Sequence, residues 1–307
     1  MRGLPSAGRR TNMNNILHMR TDDESRACRL CEGATTPRFT DLVLKKYTVR
    51  YWLCIRCGSV QTDKPYWLDE AYNVVHSATD TGMVARTLHM TQATSLLLRL
   101  AGVDQQTPCL DWGGGNGLFC RMMRDQGYNF LNEDKYAEPF YCAGFTADRS
   151  HHATYDVVTS FEVFEHLAEP KTDLATILTF DPSLWIFSTQ LYEQQGQTWS
   201  YFGPSLGRHV FFYSERALGD FATAHGYSFL RGRHLHMLVK RDGNRYLRSP
   251  RARHLARSIL RGNRLATLGA TMNFVARQRR AYLRWQSDSE LMKKTAVEPE
   301  IAVRGGP

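Results

Sequence analysis

The segment Asp111-Trp-Gly-Gly-Gly-Asn-Gly117 constrains this chain more than any other, because it sets an acid and four glycines where the short apolar run Cys109-Leu110 gives way to a helical pattern. Glycine lets a backbone turn sharply and approach a ligand closely. Leu118, Phe119, Met122 and Met123 then fall near helical spacing, and Gly127 stands where a C′ glycine would end the helix. Strand, glycine loop and helix together make a unit of nucleotide-binding type. Such units place an acid for the ribose hydroxyls roughly twenty residues beyond the loop. Here that place is taken by Tyr128-Asn-Phe-Leu-Asn-Glu-Asp134, a strand pattern ending in carboxylates. A tight strand-to-helix turn with no ligand is the plain alternative.

The order of the remaining elements favours the nucleotide-binding reading. Tyr155 to His166 predicts a buried strand followed by a polar helix start, and Ser183 to Thr189 a further strand. Pro170 to Phe180 suits the crossover helix between them. After Tyr213-Ser214 a helix through Ala217, Leu218, Phe221 and Ala222 leads to Gly226. Tyr227 to Leu230 and His234 to Lys240, split by Arg231-Gly-Arg233, predict a closing hairpin. The class is α/β, with a mostly parallel Rossmann-like sheet.

With these residues the chain resembles the class I S-adenosylmethionine-dependent methyltransferases, whose sheet has seven strands and ends in an antiparallel hairpin. Asp111, Gly113, Gly115 and Gly117 match the acid and glycines of that family's loop, with Gly114 and Asn116 between them, and Asp134 takes the place of the ribose acid. The segment Phe161-Glu-Val-Phe-Glu-His166 is similar to a group associated with sugars and surface polysaccharides. The likeness extends to Trp67-Leu-Asp-Glu-Ala-Tyr72, to Asp80-Thr-Gly82 and to the insertion ending Gly207-Arg-His-Val210, and so covers most of residues 27 to 240. It implies S-adenosylmethionine as cofactor, held by the loop with Asp134, Lys135 and Phe161, and with Glu162 at the methionine end. Lys135, Tyr136 and Phe145 are candidates for the adenine's neighbours.

Seven cysteines in a chain with no export signal suggest a reducing cytoplasm rather than disulfides. Cys28-x2-Cys31 and Cys54-x2-Cys57 are two knuckles, and two such turns supply the four thiolates of a closed, structural zinc site. A redox pair or unrelated buried cysteines are the alternatives. Cys109, Cys120 and Cys142 fall inside core elements and act as small hydrophobes. The formal charge of +9 is concentrated, with twelve arginines and one acid, Asp242, between Arg241 and Arg284. That stretch predicts helices at Arg251–Leu260 and Leu265–Trp285, serving either as a surface for phosphates of a nucleotide-linked substrate, RNA or an anionic membrane, or as a solvated face packed on the core through Leu255, Ile259 and Leu260. The organisation expected is a disordered tail (1–26), a zinc-binding module (27–62), a helical linker or cap (63–107), a cofactor-binding core (108–240), an arginine-rich helical extension (241–294) and a second disordered tail (295–307). No run of apolar residues is long enough to span a membrane.

Open α/β sheets bind ligands at the carboxyl ends of their strands. His166, next to Glu165, is the first candidate for general base, with a histidine satisfied structurally as the plain alternative. His209 is the second, in an insertion with Trp199, Tyr201, Arg208 and Tyr213 that is long for a strand-to-helix connection. Residues 160–164 lack the Asn/Asp-Pro-Pro-Tyr and Pro-Cys segments of amino-group and pyrimidine-carbon methyltransferases. The resemblance therefore implies a small-molecule or carbohydrate acceptor, a nucleotide- or polysaccharide-linked sugar bearing phosphate. The alternatives are a ribosomal RNA methyltransferase with a zinc module, and an inactive binding protein of the same fold.

Overall fold

The computed structural model describes residues 26–73, 82–147, 154–243, 245–262 and 288. The expected tails and the helix expected at Leu265–Trp285 lie outside the described residues. Ten strands and six α-helices are described: β1 (Thr35–Val43), β2 (Tyr47–Cys54), β3 (Val60–Thr62), α1 (Leu68–Asn73), α2 (Met83–Ala101), β4 (Pro108–Trp112), α3 (Leu118–Asp125), β5 (Asn129–Glu133), β6 (Val157–Phe161), α4 (Pro170–Leu178), β7 (Leu184–Ser188), β8 (Phe211–Phe212), α5 (Glu215–Ala224), β9 (Tyr227–Leu230), β10 (Leu235–Lys240) and α6 (Pro250–Leu260). Among the described residues, no helix is long and apolar enough to cross a membrane.

The larger sheet has six strands in the order β5-β4-β6-β7-β10-β9. The pairs β4–β5, β4–β6 and β6–β7 are parallel, while β10 runs antiparallel to both β7 and β9. Alternation along the strands builds two cores, since successive side chains leave opposite faces. Cys109, Val157, Leu184, Ile186, Met237 and Val239 face Leu97 and Leu98 of α2, Met123 of α3 and Leu260 of α6. Leu110, Val158, Trp185, Phe187 and Leu238 face Leu174 and Ile177 of α4 and Leu218 of α5. The cysteines 109, 120 and 142 are fully buried in the first of these cores, as small apolar groups. Leu255 of α6 is 45% exposed, so that helix docks through Ala256, Ile259 and Leu260 instead.

Among the described residues, the expected seventh strand is represented by a single bridge. Asn132 of β5 donates to the Phe145 carbonyl at 2.8 Å and accepts from the Ala147 amide at 2.9 Å, giving a single parallel bridge between Asn132 and Thr146. The left-handed turn at Gly144 and the buried ring of Phe145, beneath the Arg124 guanidinium at 3.7 Å, hold the chain there.

A second sheet, β1-β2-β3-β8, carries the N-terminal region. Its fourth strand comes from the long insertion after β7: Val60 pairs with Phe212 and Gln61 with Phe211, so the sheet reaches beyond the expected boundary at residue 62. Its core gathers Tyr51, Trp67, Tyr201, Phe202, Val210 and Phe212. Arg29, between the first two cysteines, donates to the Ala168 carbonyl at 2.8 Å and the Val210 carbonyl at 2.7 Å, joining this sheet to the strand ends of the larger one. Phe212→Ala empties a fully buried position among the rings of Tyr51, Tyr201 and Phe202. It should lower unfolding free energy by about 3–5 kcal/mol. Leu206→Ala, at a 47% exposed position of the same insertion, should stay within about 0.5 kcal/mol of wild type in denaturant titration.

Candidate functional site

The glycine loop leaves β4 and is tied to the end of β5. Gly113 and Gly114 donate their amides to the Glu133 carbonyl at 2.8 and 3.2 Å, and Gly115 donates to a carboxylate oxygen of Asp134 at 2.9 Å. The other Asp134 oxygen accepts from the amides of Tyr136 and Ala137, both at 2.8 Å. The carboxylate therefore stands on the loop, fixed by three main-chain donors, with acceptor capacity left over. Gly117, at φ +80°, opens α3, and a Cβ there would lie 2.0 Å from the Cys142 sulfur. Gly115 differs. At φ +57° its missing side chain would meet nothing within 4 Å, so the loop borders open space there. The Asn116 side-chain oxygen accepts from the Leu118 amide at 3.3 Å.

The Asp111 carboxylate accepts from the Thr159 hydroxyl of the neighbouring strand, at 2.7 Å, while the loop amides go to Glu133 and Asp134. Burial pushes the Asp111 carboxyl up to about 7, against the Thr159 hydrogen bond. Of the expected adenine neighbours, Phe145 is buried under Arg124 and does not line the loop's open side. Lys135 and Tyr136 are exposed, with the Tyr136 ring stacked on Tyr72 at 5.3 Å. Phe161 ends β6 half-buried, edge-on to Phe119.

Beyond β6 the backbone turns through Glu162, a non-glycine residue at φ +53°. The conformation is costly for a side chain and persists only where its surroundings fix it. Ser188, at the end of β7, does so: its hydroxyl donates to the Glu162 carboxylate at 2.6 Å and accepts the Glu162 amide at 2.8 Å. A single 3₁₀ turn, Phe164–His166, follows. Glu165 is fully buried, and neither carboxylate oxygen makes a hydrogen bond of normal geometry, although the hydroxyls of Thr189 and Tyr201 lie close. Burial, then the charge of Glu162, raise its pKa. Burial, with His209 and Arg208 nearby, holds His166 down at about 3, so its imidazole is neutral at neutral pH and a weak proton acceptor. Burial lowers His209 as well.

The insertion brings His209 to this turn. Val210 donates its amide to the Glu165 carbonyl at 2.8 Å, and the His166 and His209 rings meet edge to face at 4.9 Å. One ligand atom each from Glu165, His166 and His209 lie within 4.8 Å of one another. Helix α1 closes one side: Trp67 donates to the Gly207 carbonyl at 2.7 Å, Arg208 to the Ala71 carbonyl at 3.0 Å, and the Tyr72 hydroxyl lies 3.3 Å from His166 Nδ1. Tyr72 and Ser188 escape single-residue reading; the one sign of Ser188 is its place at a strand's carboxyl end.

The four cysteines of the knuckles also converge, their sulfurs within 4.8 Å of one another. Cys28 and Cys57 are 3.8 Å apart at sulfur, and Cys31 and Cys54 3.5 Å. Tetrahedral zinc with bonds of about 2.3 Å sets sulfurs about 3.8 Å apart, so the donor set and its spacing fit that ion. The Cys57 amide points at the Cys54 sulfur at 3.4 Å, and Gly58 at φ +76° closes the second knuckle. A cavity of about 600 Å³ beside Cys54, Glu193 and Arg216 lies on the outer side of the knuckles and includes none of the strand-end residues.

Asp111 carries a pH signature. A carboxyl whose native pKa is raised above its unfolded value of about 3.9 binds more protons folded than unfolded between those two values. Its ionisation therefore works against the fold increasingly from about pH 4 to about pH 7, and levels off above. Asp111→Asn lacks this term, so its unfolding free energy relative to wild type should rise across that window; a flat difference in urea titrations from pH 4 to 8 would contradict the assignment.

A family described as "Methyltransferase domain" matches residues 85–231. No curated protein matches the chain in sequence. Among solved structures, the chain is similar to the 1,6-didemethyltoxoflavin-N1-methyltransferase of Burkholderia thailandensis, bound to 1,6-didemethyltoxoflavin and S-adenosylhomocysteine, at 14% identity over 67% of this chain and 99% of that one (TM-score 0.43). It is also similar to the magnesium protoporphyrin IX methyltransferase of Synechocystis PCC 6803 with bound S-adenosylhomocysteine, at 15% identity over 57% and 95% of the two chains (TM-score 0.40). The segment that the family model matches, from residue 85 to residue 231, contains the glycine loop and the Glu162–His166 turn.

Proposed function

We propose that this chain is an S-adenosylmethionine-dependent methyltransferase acting on a small-molecule or carbohydrate acceptor, a sugar linked to a nucleotide or a polysaccharide. The observation that carries the reading is the open space at Gly115 with the Asp134 carboxylate fixed on its amide. Asp111 and Gly113 to Gly117 shape the loop, Asp134 accepts from ribose hydroxyls, and Lys135, Phe161 and Glu162 flank the cofactor. When bound, S-adenosylmethionine supplies a methyl group already activated on a sulfonium. The chain's task is then to align the acceptor in line with the carbon–sulfur bond and to take up its proton, and alignment carries much of the rate. Ser188 fixes Glu162 beside the loop. Glu165, His166 and His209 form the acceptor side, where Tyr72, Tyr201 and Arg208 supply rings and donors suited to a hydroxylated, anionic substrate.

The knuckles hold a structural zinc ion in this reading. Four thiol donors leave no position for substrate, so the ion braces the fold and takes no part in transfer. Arg29 transmits that support to Ala168 and Val210, on either side of the acceptor residues.

Calorimetric titration with S-adenosylmethionine tests the cofactor. Wild type should bind one equivalent, and Asp134→Ala should weaken it by about tenfold or more, the worth of a charge-assisted hydrogen bond, with an unchanged far-ultraviolet spectrum. His166→Ala should keep cofactor binding and lose transfer of label to glycan or sugar-nucleotide fractions of a cell extract. Absence of binding by wild type would support an inactive binding protein, and label entering RNA would support the ribosomal alternative.

Metal analysis tests the knuckles separately. The purified chain should carry one zinc per molecule, and Cys54→Ser should lose it together with about 2–4 kcal/mol of stability or more. A metal-free chain that melts as wild type would remove the zinc assignment.

A further inference from the structure

We propose that Glu165, His166 and His209 form a second cation site, separate from the cysteines, for a divalent first-row transition ion that binds the acceptor's oxygens. The inference rests on the methyltransferase reading for its role in transfer, but the site itself rests on geometry. Two imidazoles and one carboxylate have ligand atoms within 4.8 Å of one another. A cation with bonds of about 2.1 Å holds neighbouring ligands about 3 Å apart, so rotation of the half-buried histidine rings closes the remaining gap.

Two independent observations point to an ion. Glu165 is completely buried, yet neither of its oxygens makes a hydrogen bond of normal geometry, the hydroxyls of Thr189 and Tyr201 only lying close, whereas buried carboxylates are otherwise paired or coordinate metals. His209 supplies the second. Its Nδ1 lies 2.6 Å from the Tyr201 carbonyl, which can only accept, so Nδ1 carries the hydrogen and Nε2 presents its lone pair. A ring N–H anchored on a carbonyl, with the opposite nitrogen free, is the arrangement that orients a metal-binding imidazole. The Tyr72 hydroxyl, from α1, lies 3.3 Å from His166 Nδ1, and the Arg208 backbone also hydrogen-bonds this ring.

The supports are built into the main chain. Val210 donates to the Glu165 carbonyl, so the turn carrying Glu165 and His166 and the loop carrying His209 cannot drift apart. Arg208, the nearest cation, turns its guanidinium to the Ala71 carbonyl and the Tyr72 ring, while Glu162 adds negative charge from the other side. Two histidines favour manganese, iron, cobalt or zinc over magnesium or calcium, which prefer all-oxygen cages. Three protein ligands leave positions for an acceptor with two adjacent oxygens, as in a vicinal diol. Coordination lowers the pKa of a bound hydroxyl, so His166 serves as ligand and need not act as base. The hydroxyl proton passes to water, the new O–C bond forms as the C–S bond breaks, and the electron pair remains on sulfur.

The test is a Mn²⁺ titration of the full-length chain, with its zinc retained, followed by electron paramagnetic resonance and calorimetry. Wild type should bind one Mn²⁺ per chain. Glu165→Gln and His209→Gln should each weaken that binding by about tenfold or more. Zinc content should not change. Because Glu165→Gln replaces a buried group and can fail to fold, His209→Gln is the deciding variant, checked by its melting curve. No Mn²⁺ binding by wild type at millimolar concentration, or unchanged affinity in a folded His209→Gln, overturns the proposal. S-adenosylmethionine binding is measured on the same samples: cofactor binding without Mn²⁺ binding overturns the cation site alone, whereas Mn²⁺ binding without cofactor binding upholds the site and overturns the transferase role.

Discussion

The strand-end loop of this protein depends on one contact, in which its first three glycines give their amides to Glu133, at the end of β5, and to Asp134 just beyond it. Two of those amides meet the Glu133 carbonyl and the third meets Asp134. The contact sets the height of the loop above the sheet and so the opening at Gly115. It also explains why an acid at this place serves twice: it must satisfy a main-chain donor before it can reach a ligand, and a carboxylate has enough lone pairs for both. A side chain with a single acceptor would have to choose.

Much of the fold was legible because it follows from local rules. The strands β6 and β7 read as short buried runs of β-branched and aromatic residues since a parallel sheet is covered on both faces, and the hairpin β9–β10 is announced by Arg231-Gly-Arg233. The cysteine knuckles were legible because a spacing of three brings each pair of sulfurs to one side of a turn, whatever surrounds them. What stayed hidden was decided between segments. Phe211-Phe212 is too short to show alternation, and its role as a strand exists only through pairing with Val60 and Gln61. Among the described residues the seventh strand is represented by the Asn132–Thr146 bridge, beside a left-handed turn at Gly144 and a ring under Arg124 that the sequence does not announce.

The same division runs through the candidate site. The loop glycines, Asp134 and the Glu162–His166 turn stand in one continuous order along the chain and could be named from it. The partner of Asp111 could not, because Thr159 sits on the adjacent strand and becomes its neighbour only by register. Nor could the meeting of His209 with His166, which the Val210–Glu165 hydrogen bond brings about across the insertion. Burial then changes what these residues can do: an imidazole chosen from sequence as a proton acceptor is, in its pocket, a neutral group of very low basicity.

Strand β8 has a wider consequence. It leads from His209 and Val210 directly into Ser214, whose hydroxyl donates to the Cys57 carbonyl and accepts from Ala217 at the start of α5. The sulfur-rich knuckle, His209 and a core helix are thus linked through one short piece of backbone. The N-terminal region is therefore no detachable module. Its fourth strand continues directly from the loop that carries His209 and Val210, so trimming the region away would strip the Glu165, His166 and His209 cluster of the backbone that holds it.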